Sequence, residues 1–428
     1  MTPKFIFIET YGCSANLNNS EIIKGLILQS GLELTSNPEL ADVLIINTCI
    51  VKEPTEKKIE ARILELEKLN KPLIIAGCMP DVRKNELQKN NLYLLSNHQI
   101  KSIIKLIRKI SENNYIENDF FINSKEIKLN LPKSNEVKKI GITQILEGCL
   151  GQCNFCITRF AKGKLFSYPQ EDIIKNIQAD LKNGCKEIWL TSQDNSAYGL
   201  DRGKNELIEL LRKILAIDGK FRIRLGMMNP NHVLPILKDL VEIYKDEKIY
   251  KFLHIPLQSA SNNILKSMNR FYKKQDFLDI IKKFRKQIPN ITIATDIIVA
   301  YPGETQEDYQ ETLNLVKEIQ PDVLNLAKYW SMKGTPAAEL KQVPKKEAKR
   351  RVVELMCLFR KVLLEKNKLW INKPVSVLVY DKFNNNYLAR SPEYKLVLFK
   401  SQKNLLGKII KVKIIKTEQN HFIGELIN

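Results

Sequence analysis

The chain has 428 residues, of which 44% are apolar and 27% charged, a composition typical of a globular protein with several cores. Lysine and arginine exceed aspartate and glutamate by 20, which points to a polyanionic partner. The longest uncharged apolar runs are too short to span a bilayer, and the N-terminus lacks the pattern of a signal peptide. We therefore expect no membrane span and a reducing compartment, the cytoplasm.

The first part of the chain alternates apolar runs with amphipathic segments. The predicted strands are 4–10, 42–48, 72–77 and 92–96, and the predicted helices are 18–30, 55–69 and 99–110. Strands and helices that alternate in this way predict βαβ units and a parallel sheet. We assign residues 1–112 to this α/β domain. Residues 113–138 are polar and rich in Asn, Lys and Glu, so we assign them to a linker with a candidate strand at 127–131.

A second alternating series follows the linker and defines a central domain at 139–371. Its predicted strands are 143–147, 187–192, 221–227, 252–258, 292–300 and 323–329. Its predicted helices are 169–183, 206–216, 274–287, 305–319 and a long basic helix at about 345–370. Six βα units predict an open, partial (βα)6 barrel instead of a closed eight-stranded one.

The last segment, 372–428, changes pattern again. Its short runs read as strands at 375–380, 386–389, 395–399, 408–415 and 422–427. Five short strands without helices predict a small OB-like β-barrel. Residues 341–428 hold 20 Lys and Arg against 7 Asp and Glu. A basic helix next to a basic barrel favours RNA binding, and the alternative is an ordinary solvated surface.

Three of the eight cysteines form a tight cluster. Cys149, Cys153 and Cys156 are spaced C-x3-C-x2-C directly after a predicted strand. Structural zinc needs four ligands, and no fourth Cys or His lies nearby in the sequence. Three thiolates in one loop suit a [4Fe–4S] cluster with one iron left open, to which S-adenosylmethionine (SAM) can bind.

Three further cysteines are far apart in sequence. Cys13, Cys49 and Cys78 each follow a predicted strand, and the carboxyl ends of parallel strands meet at one sheet edge. We expect Gly12 and Gly77 to leave room for a bulky centre close to the backbone. The arrangement predicts a second three-cysteine [4Fe–4S] cluster, and the alternative is three separate core cysteines.

These motifs resemble those of the methylthiotransferase family of radical-SAM enzymes, over nearly the whole chain. The matching elements are Tyr11-Gly-Cys13 with Asn16, Asn47-Thr-Cys49, Gly77-Cys78, 149–156, 254–259 and 296–305. The C-terminal barrel is similar to the RNA-binding TRAM domain. The segment 161–169, AKGKLFSYP, resembles the archaeal and eukaryotic subfamily, although Lys162 stands where Arg is more usual. That subfamily acts on N6-threonylcarbamoyladenosine beside the anticodon of tRNA.

The resemblance implies a fold, cofactors and partners. The cluster on Cys149, Cys153 and Cys156 would reduce SAM to a 5′-deoxyadenosyl radical, since no protein base removes the proton on C2 of adenine at neutral pH. The cluster on Cys13, Cys49 and Cys78 would hold the sulfur to be inserted, and a second SAM supplies the methyl group. The implied partners are the tRNA anticodon loop, a low-potential electron donor of ferredoxin or flavodoxin type, and a sulfur donor.

Weaker candidates for SAM binding lie near the predicted barrel strands. They are Phe155, for the adenine, and Gln193, Asp194, Gln258 and Asp296, near strand ends. For Phe155 the alternative is core packing. We interpret His254, Cys185 and Cys357 as core residues, and Lys345, Lys346 and 349–351 as a solvated helix face that can meet phosphate.

Three other functions stay open at the level of sequence. Two are methylthiotransferases with a different substrate, isopentenyladenosine or an aspartate of a ribosomal protein. The basic barrel argues against a ribosomal protein, because that partner is itself basic. The third is an Fe–S protein that binds RNA or carries sulfur without catalysis, and two three-cysteine sites argue against it.

Overall fold

The computed structural model describes residues 3–51, 53–88, 92–120, 126–135, 137 and 139–427. The chain divides into two units. Unit 1 comprises Met1–Glu136, Ile142–Leu150 and Cys156–Asn176, and unit 2 comprises Val137–Gly141, Gly151–Phe155 and Ile177–Asn428. Within the described part of the chain, no helix combines the length and the apolar character needed to traverse a bilayer.

Unit 1 is built on a five-stranded sheet. Its strands are β1 (Phe5–Thr10), β2 (Glu33–Thr35), β3 (Val43–Thr48), β4 (Leu73–Gly77) and β5 (Leu92–Leu94). Its first helices are α1 (Ser14–Gln29), α2 (Glu53–Glu67), α3 (Cys78–Leu87) and α4 (Ile103–Ser111). The strand order is β2-β1-β3-β4-β5, and every pair is parallel, which confirms the predicted sheet.

The sheet of unit 1 is covered on both faces. Ile45 and Ile74 pack on one side with Ile22 of α1, while Leu44 and Ile75 belong to the core on the other side. Burial on both faces explains why β3 is apolar without alternation. The sequence missed β2, which is only three residues long.

The candidate strand at 127–131 is wrong. The described residues 126–135 contain no strand. Instead, the side chain of Lys128 is fully buried and forms an ion pair with Glu147. A buried charge must be paired, so the ion pair with Glu147 holds this segment, and the hydrogen bonds of a sheet do not.

The chain continues through the central elements. The strands are β6 (Ile140–Gln144), β7 (Leu146–Glu147), β8 (Phe166–Ser167), β9 (Glu187–Thr191), β10 (Arg222–Leu225), β11 (Phe252–His254), β12 (Thr292–Val299) and β13 (Val323–Lys328). The helices are α5 (Thr158–Lys162), α6 (Gln170–Lys182), α7 (Leu207–Leu215), α8 (Pro230–Val233), α9 (Leu237–Ile243), α10 (Asn262–Ser267), α11 (Lys274–Gln287), α12 (Gln306–Ile319) and α13 (Lys345–Lys368).

The central strands form two open sheets. One has the order β10-β9-β6 and the other β11-β12-β13, and β9–β10, β11–β12 and β12–β13 are parallel pairs. These six strands confirm an open barrel. The predicted strand 143–147 is in fact split between β6 and β7, and β7 pairs with β8 in an antiparallel hairpin of unit 1.

The end of the chain folds into a closed barrel, as predicted. Its strands are β14 (Pro374–Phe383), β15 (Asn386–Arg390), β16 (Leu396–Phe399), β17 (Ile409–Thr417) and β18 (Phe422–Leu426). Their order is β14-β15-β16-β18-β17. Alternation along β17 directs Val412 and Ile414 into the barrel core and leaves Lys411 and Lys413 exposed.

Ion pairs with buried carboxylates connect the barrel to the rest of unit 2. The carboxylate of Asp322 lies 2.7 Å from Nζ of Lys395 and 2.8 Å from Nζ of Lys366. Nε of Arg390 lies 3.4 Å from the buried carboxylate of Glu187. Removal of the barrel would therefore take Arg390 from Glu187 and Lys395 from Asp322, and would leave Asp322 with Lys366 alone.

Candidate functional site

The three distant cysteines of unit 1 lie at the ends of adjacent strands. Cys13 follows β1 and caps α1, Cys49 directly follows β3, and Cys78 directly follows β4 and begins α3. Because β1, β3 and β4 are neighbouring parallel strands, the three residues lie along one edge of the sheet.

Two glycines let these strand ends approach each other closely. Gly12 and Gly77 have φ of 111° and 90°, values that favour glycine. A Cβ at Gly12 would lie 2.8 Å from Cβ of Cys49, and a Cβ at Gly77 would lie 2.3 Å from the carbonyl oxygen of Thr48. A side chain at either position would therefore collide with the neighbouring strand end, which explains why both residues are glycines.

The three thiols differ in exposure, and the charge of Cys13 acts on the pKa values of the other two. Cys49 and Cys78 are buried and Cys13 is exposed. Burial raises the pKa of Cys78 to about 12; the Lys162 ammonium opposes this shift, and the negative charges of Cys13 and Cys49 add to it. Burial also raises the pKa of Cys49, where the charge of Cys13 contributes again. The charge of Cys13 thus raises the pKa of both buried thiols.

Buried amides fix the loops that carry these thiols. Nδ2 of Asn16 donates to the carbonyl oxygens of Tyr11, at 2.9 Å, and Thr48, at 2.7 Å. Its Oδ1 lies 3.8 Å from the thiol of Cys78. Nδ2 of Asn47 donates to the carbonyl of Asn16 at 2.8 Å. Asn16 and Asn47 of the motifs thus hold together the loops that follow β1 and β3.

A buried charged group lies in the same unit. One Glu147 oxygen is 2.8 Å from Nζ of Lys128 and 3.2 Å from Nζ of Lys162. Asn97 donates to that carboxylate at 2.6 Å and accepts from Lys162 at 2.7 Å. Burial alone would raise the pKa of Glu147, but the two ammonium groups hold it well below its usual range. The carboxylate is therefore ionised.

Lys162 connects this group to the cysteines. It ends α5, which packs against α3, the helix that begins at Cys78. Burial would lower the pKa of Lys162, but the negative charges of Cys78, Glu147 and Cys13 raise it. Sequence reasoning noted Lys162 only as part of a motif and missed Glu147, because no spacing links the two.

The other three cysteines, Cys149, Cys153 and Cys156, lie in the loop between β7 and α5. Cys153 is buried, and Cys149 and Cys156 are half-buried. Residues 151–155 belong to unit 2, where Asn154 donates to the carbonyl oxygen of Ser267 at 2.8 Å and Asn269 donates to that of Gln152 at 2.9 Å. Two side-chain bonds thus fasten this segment to the loop after α10.

Arg270 is a functional candidate that the sequence did not reveal. Its Nη1 donates to Sγ of Cys153 at 3.1 Å, and its Nη2 donates to Oδ1 of Asn229 at 2.9 Å. A guanidinium keeps its charge at any ordinary pH, so Arg270 places a permanent positive charge next to Cys153. The arrangement fits a cluster ligand at Cys153.

Asp194 lies after β9, as expected, but its carboxylate is engaged within the protein. Its Oδ1 accepts from the hydroxyl of Ser196 at 2.5 Å and from the backbone N–H of Asn229 at 3.0 Å. Its Oδ2 is 2.7 Å from Nδ1 of His232. The side chain is only 2% exposed, so it holds the loops that follow β9 and β10 together. Gln193, beside it, is half-buried.

The remaining SAM candidates lie near β11 and β12. Gln258 has φ of 75°, and its backbone N–H donates to the carbonyl of Asp296 at 2.8 Å. Asp296 lies on β12, and its carboxylate is 2.5 Å from Nε2 of His254. His254 is thus satisfied, as interpreted from the sequence. Phe155 is half-buried and meets the ring of Tyr301 edge-on at 6.5 Å.

Other expectations from the sequence meet mixed outcomes. Cys185 is buried, as predicted, but Cys357 is exposed on α13, so its assignment to the core is wrong. The helix face at 349–351 is not wholly solvated either. Arg351 is buried and bonds to Glu304 at 2.7 Å, which withdraws it from contact with phosphate.

Among the described residues, no group of three or more His, Cys, Asp and Glu side chains could hold a metal ion as they stand. The case for clusters therefore rests on the placement of the cysteines and on the cations beside them.

Two family models match the chain. Residues 143–316 match the Radical SAM superfamily, and residues 5–95 match the Uncharacterized protein family UPF0004. Among solved structures, the methyltransferase TsrM from Kitasatospora setae is similar with a TM-score of 0.58 at 13% identity, over 78% of this chain and 77% of that one. This likeness shows the fold. The chain is thus a radical-SAM enzyme.

Curated relatives refine this class. A protein of Archaeoglobus fulgidus is 39% identical over 98% of both chains, and one of Methanocaldococcus jannaschii is 40% identical over 99% of this chain and 97% of that one. Both are named "probable threonylcarbamoyladenosine tRNA methylthiotransferase". The human threonylcarbamoyladenosine tRNA methylthiotransferase is 32% identical over 99% of this chain and 74% of its own length. The chain belongs to this methylthiotransferase family.

Proposed function

We propose that this enzyme methylthiolates C2 of N6-threonylcarbamoyladenosine at position 37 of tRNA, next to the anticodon. The observation that carries the proposal is the second set of cysteines, at the ends of β1, β3 and β4, in addition to the C-x3-C-x2-C loop. A radical-SAM enzyme that only generates a radical needs one such set. A second set suits an enzyme that must also hold sulfur.

We infer that each set binds one [4Fe–4S] cluster, through Cys13, Cys49 and Cys78 and through Cys149, Cys153 and Cys156. When bound, such clusters supply an electron for SAM cleavage and an open iron for SAM or sulfur. Each set has a cation beside it, Lys162 at the strand ends and Arg270 at Cys153. Such cations stabilise the negative charge of a cluster that is held by thiolates.

The side chains near the barrel strands would orient SAM. We propose Gln193, Gln258 and Asp296 as contacts with its polar groups. Gln193 and Gln258 follow the ends of β9 and β11, and Asp296 lies inside β12, where its backbone carbonyl accepts from Gln258. Asp194 would act indirectly, since its carboxylate is already bonded to Ser196 and His232. Phe155, which is half-buried and packs against Tyr301, would use its exposed part to contact the adenine.

The C-terminal barrel supports RNA as the substrate. We assign it as a TRAM-like domain that contacts the tRNA backbone, together with the neighbouring basic helix α13. Lys411 and Lys413 project from β17 into solvent, and Lys373 and Lys382 are also exposed. Such contacts position the RNA without reading its bases, so the modified adenine must be splayed from the loop and held elsewhere.

The remaining assignments follow from the same chemistry. We propose four parts, 1–112, 113–138, 139–371 and 372–428, as cluster-binding domain, linker, radical-SAM core and RNA-binding barrel. We expect a ferredoxin or flavodoxin as electron donor, a separate sulfur donor, and a cytoplasmic location, where tRNA is available.

Mass spectrometry of tRNA nucleosides tests the substrate. Cells that lack the gene should lose 2-methylthio-N6-threonylcarbamoyladenosine and accumulate its unmethylthiolated precursor, and the gene should restore the product. A gene with Cys13→Ala should not restore it. Loss of a methylthiolated isopentenyladenosine, or of a modified ribosomal-protein aspartate, would move the enzyme to the other substrates. Unchanged tRNA and ribosomal proteins would favour a non-catalytic Fe–S protein.

A further inference from the structure

One loop of the C-terminal barrel contacts the central strands of unit 2 at the points where they begin. Residues 390–395 run from the end of β15 to the start of β16. The carbonyl oxygen of Pro392 accepts from the backbone N–H just before β11 at 2.7 Å, and that of Glu393 accepts from the hydroxyl of Thr292, the first residue of β12, at 2.6 Å. The ion pairs described above connect the loop to the starts of β9 and β13. The loop therefore lies at the end of the open barrel opposite to the strand ends that carry the SAM candidates.

The side chain of Tyr394 enters the barrel from this loop. Its ring lies 4.9 Å from that of Tyr250 and 4.8 Å from that of Phe252, between centroids. The guanidinium of Arg224 lies over the Tyr394 ring at 5.8 Å and over those of Phe252 and Trp189 at 5.3 and 5.5 Å. Trp189 and Arg224 are half-buried, whereas the residues on either side of each are buried, so both lie on the open inner face of their strands. The loop and three strands thus form one layer of side chains.

The backbone of Tyr394 adopts a conformation that a bulky residue rarely adopts. Its φ is 65°, in the left-handed region that favours glycine. A tight turn holds it there, because its N–H donates to the carbonyl of Ser391 at 2.9 Å and the N–H of Ser391 donates to the carbonyl of Lys395 at 3.0 Å. Strained residues persist only where the surrounding structure holds them, and they are concentrated at functional sites. This position therefore requires the ring, since glycine would suit the backbone better.

The layer that contains Tyr394 lies next to residues proposed to orient SAM. Phe252 and His254 share one face of β11, and their rings are 6.3 Å apart. His254 is in turn 2.5 Å from the carboxylate of Asp296. The ring of Tyr394 supports Phe252, so its loss would loosen the packing beneath the His254–Asp296 pair and admit water from the far end of the barrel.

We propose that the loop 390–395 closes the reaction chamber of the open barrel, and that Tyr394 is a positioning residue for methylthiolation. This inference rests on the proposed function, in which an adenine must be held in register with SAM. A small misplacement of reacting groups slows a reaction strongly, and a closed site excludes water from it. The C-terminal barrel then has two functions. Its exposed lysines contact tRNA, and this loop completes the chamber in which the base reacts.

The experiment uses the full-length, reconstituted enzyme with dithionite as reductant and tRNA that carries N6-threonylcarbamoyladenosine. Tyr394→Gly removes the ring and suits the positive φ, so the backbone of the loop is kept, whereas Tyr394→Phe keeps the ring. The matched control is Asn384→Gly, which changes another left-handed residue of the same barrel, with φ of 52°, that is exposed to solvent.

Three quantities are measured for each protein. They are the affinity for tRNA by filter binding, the number of SAM molecules cleaved per methylthiolated nucleoside by mass spectrometry, and the quenching of Trp189 fluorescence by acrylamide. The contribution of Trp189 is obtained by subtraction of the same protein with Trp189→Phe. The quenching reports on access of solvent to the chamber and does not depend on turnover.

We expect Tyr394→Gly to cleave severalfold more SAM per product than the parent, because SAM is still cleaved while the adenine is misaligned. Its Trp189 should be quenched more strongly, since the far end of the barrel is open, and its affinity for tRNA should not change. Tyr394→Phe and Asn384→Gly should match the parent in all three quantities.

Two results would overturn the proposal. One is a Tyr394→Gly protein with the same ratio of SAM to product and the same quenching as the parent. The other is a parallel loss of tRNA affinity, SAM cleavage and product at an unchanged ratio, which would make Tyr394 a purely structural residue. If the parent itself forms no methylthiolated nucleoside, the proposed function is wrong and the positioning role falls with it. If the parent is active and Tyr394→Gly matches it, only the role of Tyr394 is wrong.

Discussion

The two sets of cysteines use opposite ways of bringing three thiols together. Cys149, Cys153 and Cys156 lie within one short loop, so the chain itself keeps them close. Cys13, Cys49 and Cys78 come from three strands and meet only because β1, β3 and β4 are neighbours in a parallel sheet. The first set should therefore tolerate damage to the packing of the β1–β5 sheet, whereas the second set should depend on that packing.

The largest expected effect is the loss of iron and of activity when either set of cysteines is removed, and it distinguishes the functions of the two sets. Wild-type protein should hold roughly eight irons after reconstitution, since each cluster contains four. Replacement of all three loop cysteines by alanine should halve the iron and abolish SAM cleavage. Replacement of Cys13, Cys49 and Cys78 should also halve the iron but spare SAM cleavage and stop methylthiolation. Full iron in either variant, measured by iron assay, would contradict the ligand assignment.

The next effect tests how strongly unit 1 depends on its buried charges. Glu147→Gln leaves two buried ammonium groups without their carboxylate, and breaking a buried pair costs about 3–5 kcal/mol. Urea unfolding of the iron-free protein should show this loss. Glu209→Gln, which breaks an exposed pair with Lys213, is the control and should cost less than about 1 kcal/mol. Equal costs would mean that the buried group does not stabilise the unit.

The same carboxylate predicts a pH dependence. The pKa of Glu147 is held well below its usual range in the folded protein. Its contribution to stability is therefore fully present above the unfolded pKa, about 4.3, and is lost as the pH falls through the folded pKa. Wild-type stability should decline more steeply than that of Glu147→Gln below about pH 4, as followed by urea midpoints.

A smaller effect concerns the loop set. Arg270→Gln removes the charged donor from Cys153, and a bond to a charged group contributes about 1.5–3 kcal/mol. We expect SAM cleavage to slow by roughly tenfold or more, with methylthiolation reduced in proportion. Arg202→Gln, which breaks a pair with Glu206 in the same unit, should leave cleavage unchanged. Equal rates in the two variants would show that Arg270 does not support the loop cluster.

The smallest effect concerns RNA binding, which should be separable from both sets of cysteines. Deletion of the barrel is a poor test, because it would also remove Arg390 from the buried Glu187 and Lys395 from the buried Asp322. The double variant Lys411→Ala, Lys413→Ala leaves those contacts intact. Its tRNA affinity should fall severalfold, and its salt slope should flatten by about 0.7–0.9 per lost phosphate contact.

The control for this experiment is Lys282→Ala, Lys283→Ala on α11, which removes two exposed lysines far from the barrel in sequence. Filter binding at several salt concentrations measures both quantities, and iron content should not change in either variant. If the two double variants bind tRNA equally well, the RNA site lies elsewhere, for example at Lys345, Lys346 and Lys349 of α13.

Much of the architecture could be predicted from the sequence. Strands β3 and β4 are buried along their whole length and contain apolar runs because both faces of the sheet are covered. The barrel strand β17 alternates because one of its faces is solvated. These periodicities are local, so they are readable without the fold. The strand expected at 127–131 was wrong because Lys128 is held there by a distant carboxylate, which no local pattern shows.

The sequence by itself determined both sets of cysteines as candidates, since the loop spacing and the position of each distant cysteine after a strand are local features. Only the tertiary structure decided what surrounds them. Arg270 donates to a thiol 117 residues earlier in the chain, and Lys162 bonds to an amide 65 residues earlier. Such pairs leave no trace in spacing or periodicity, because charges buried by folding find their partners in space and not along the chain.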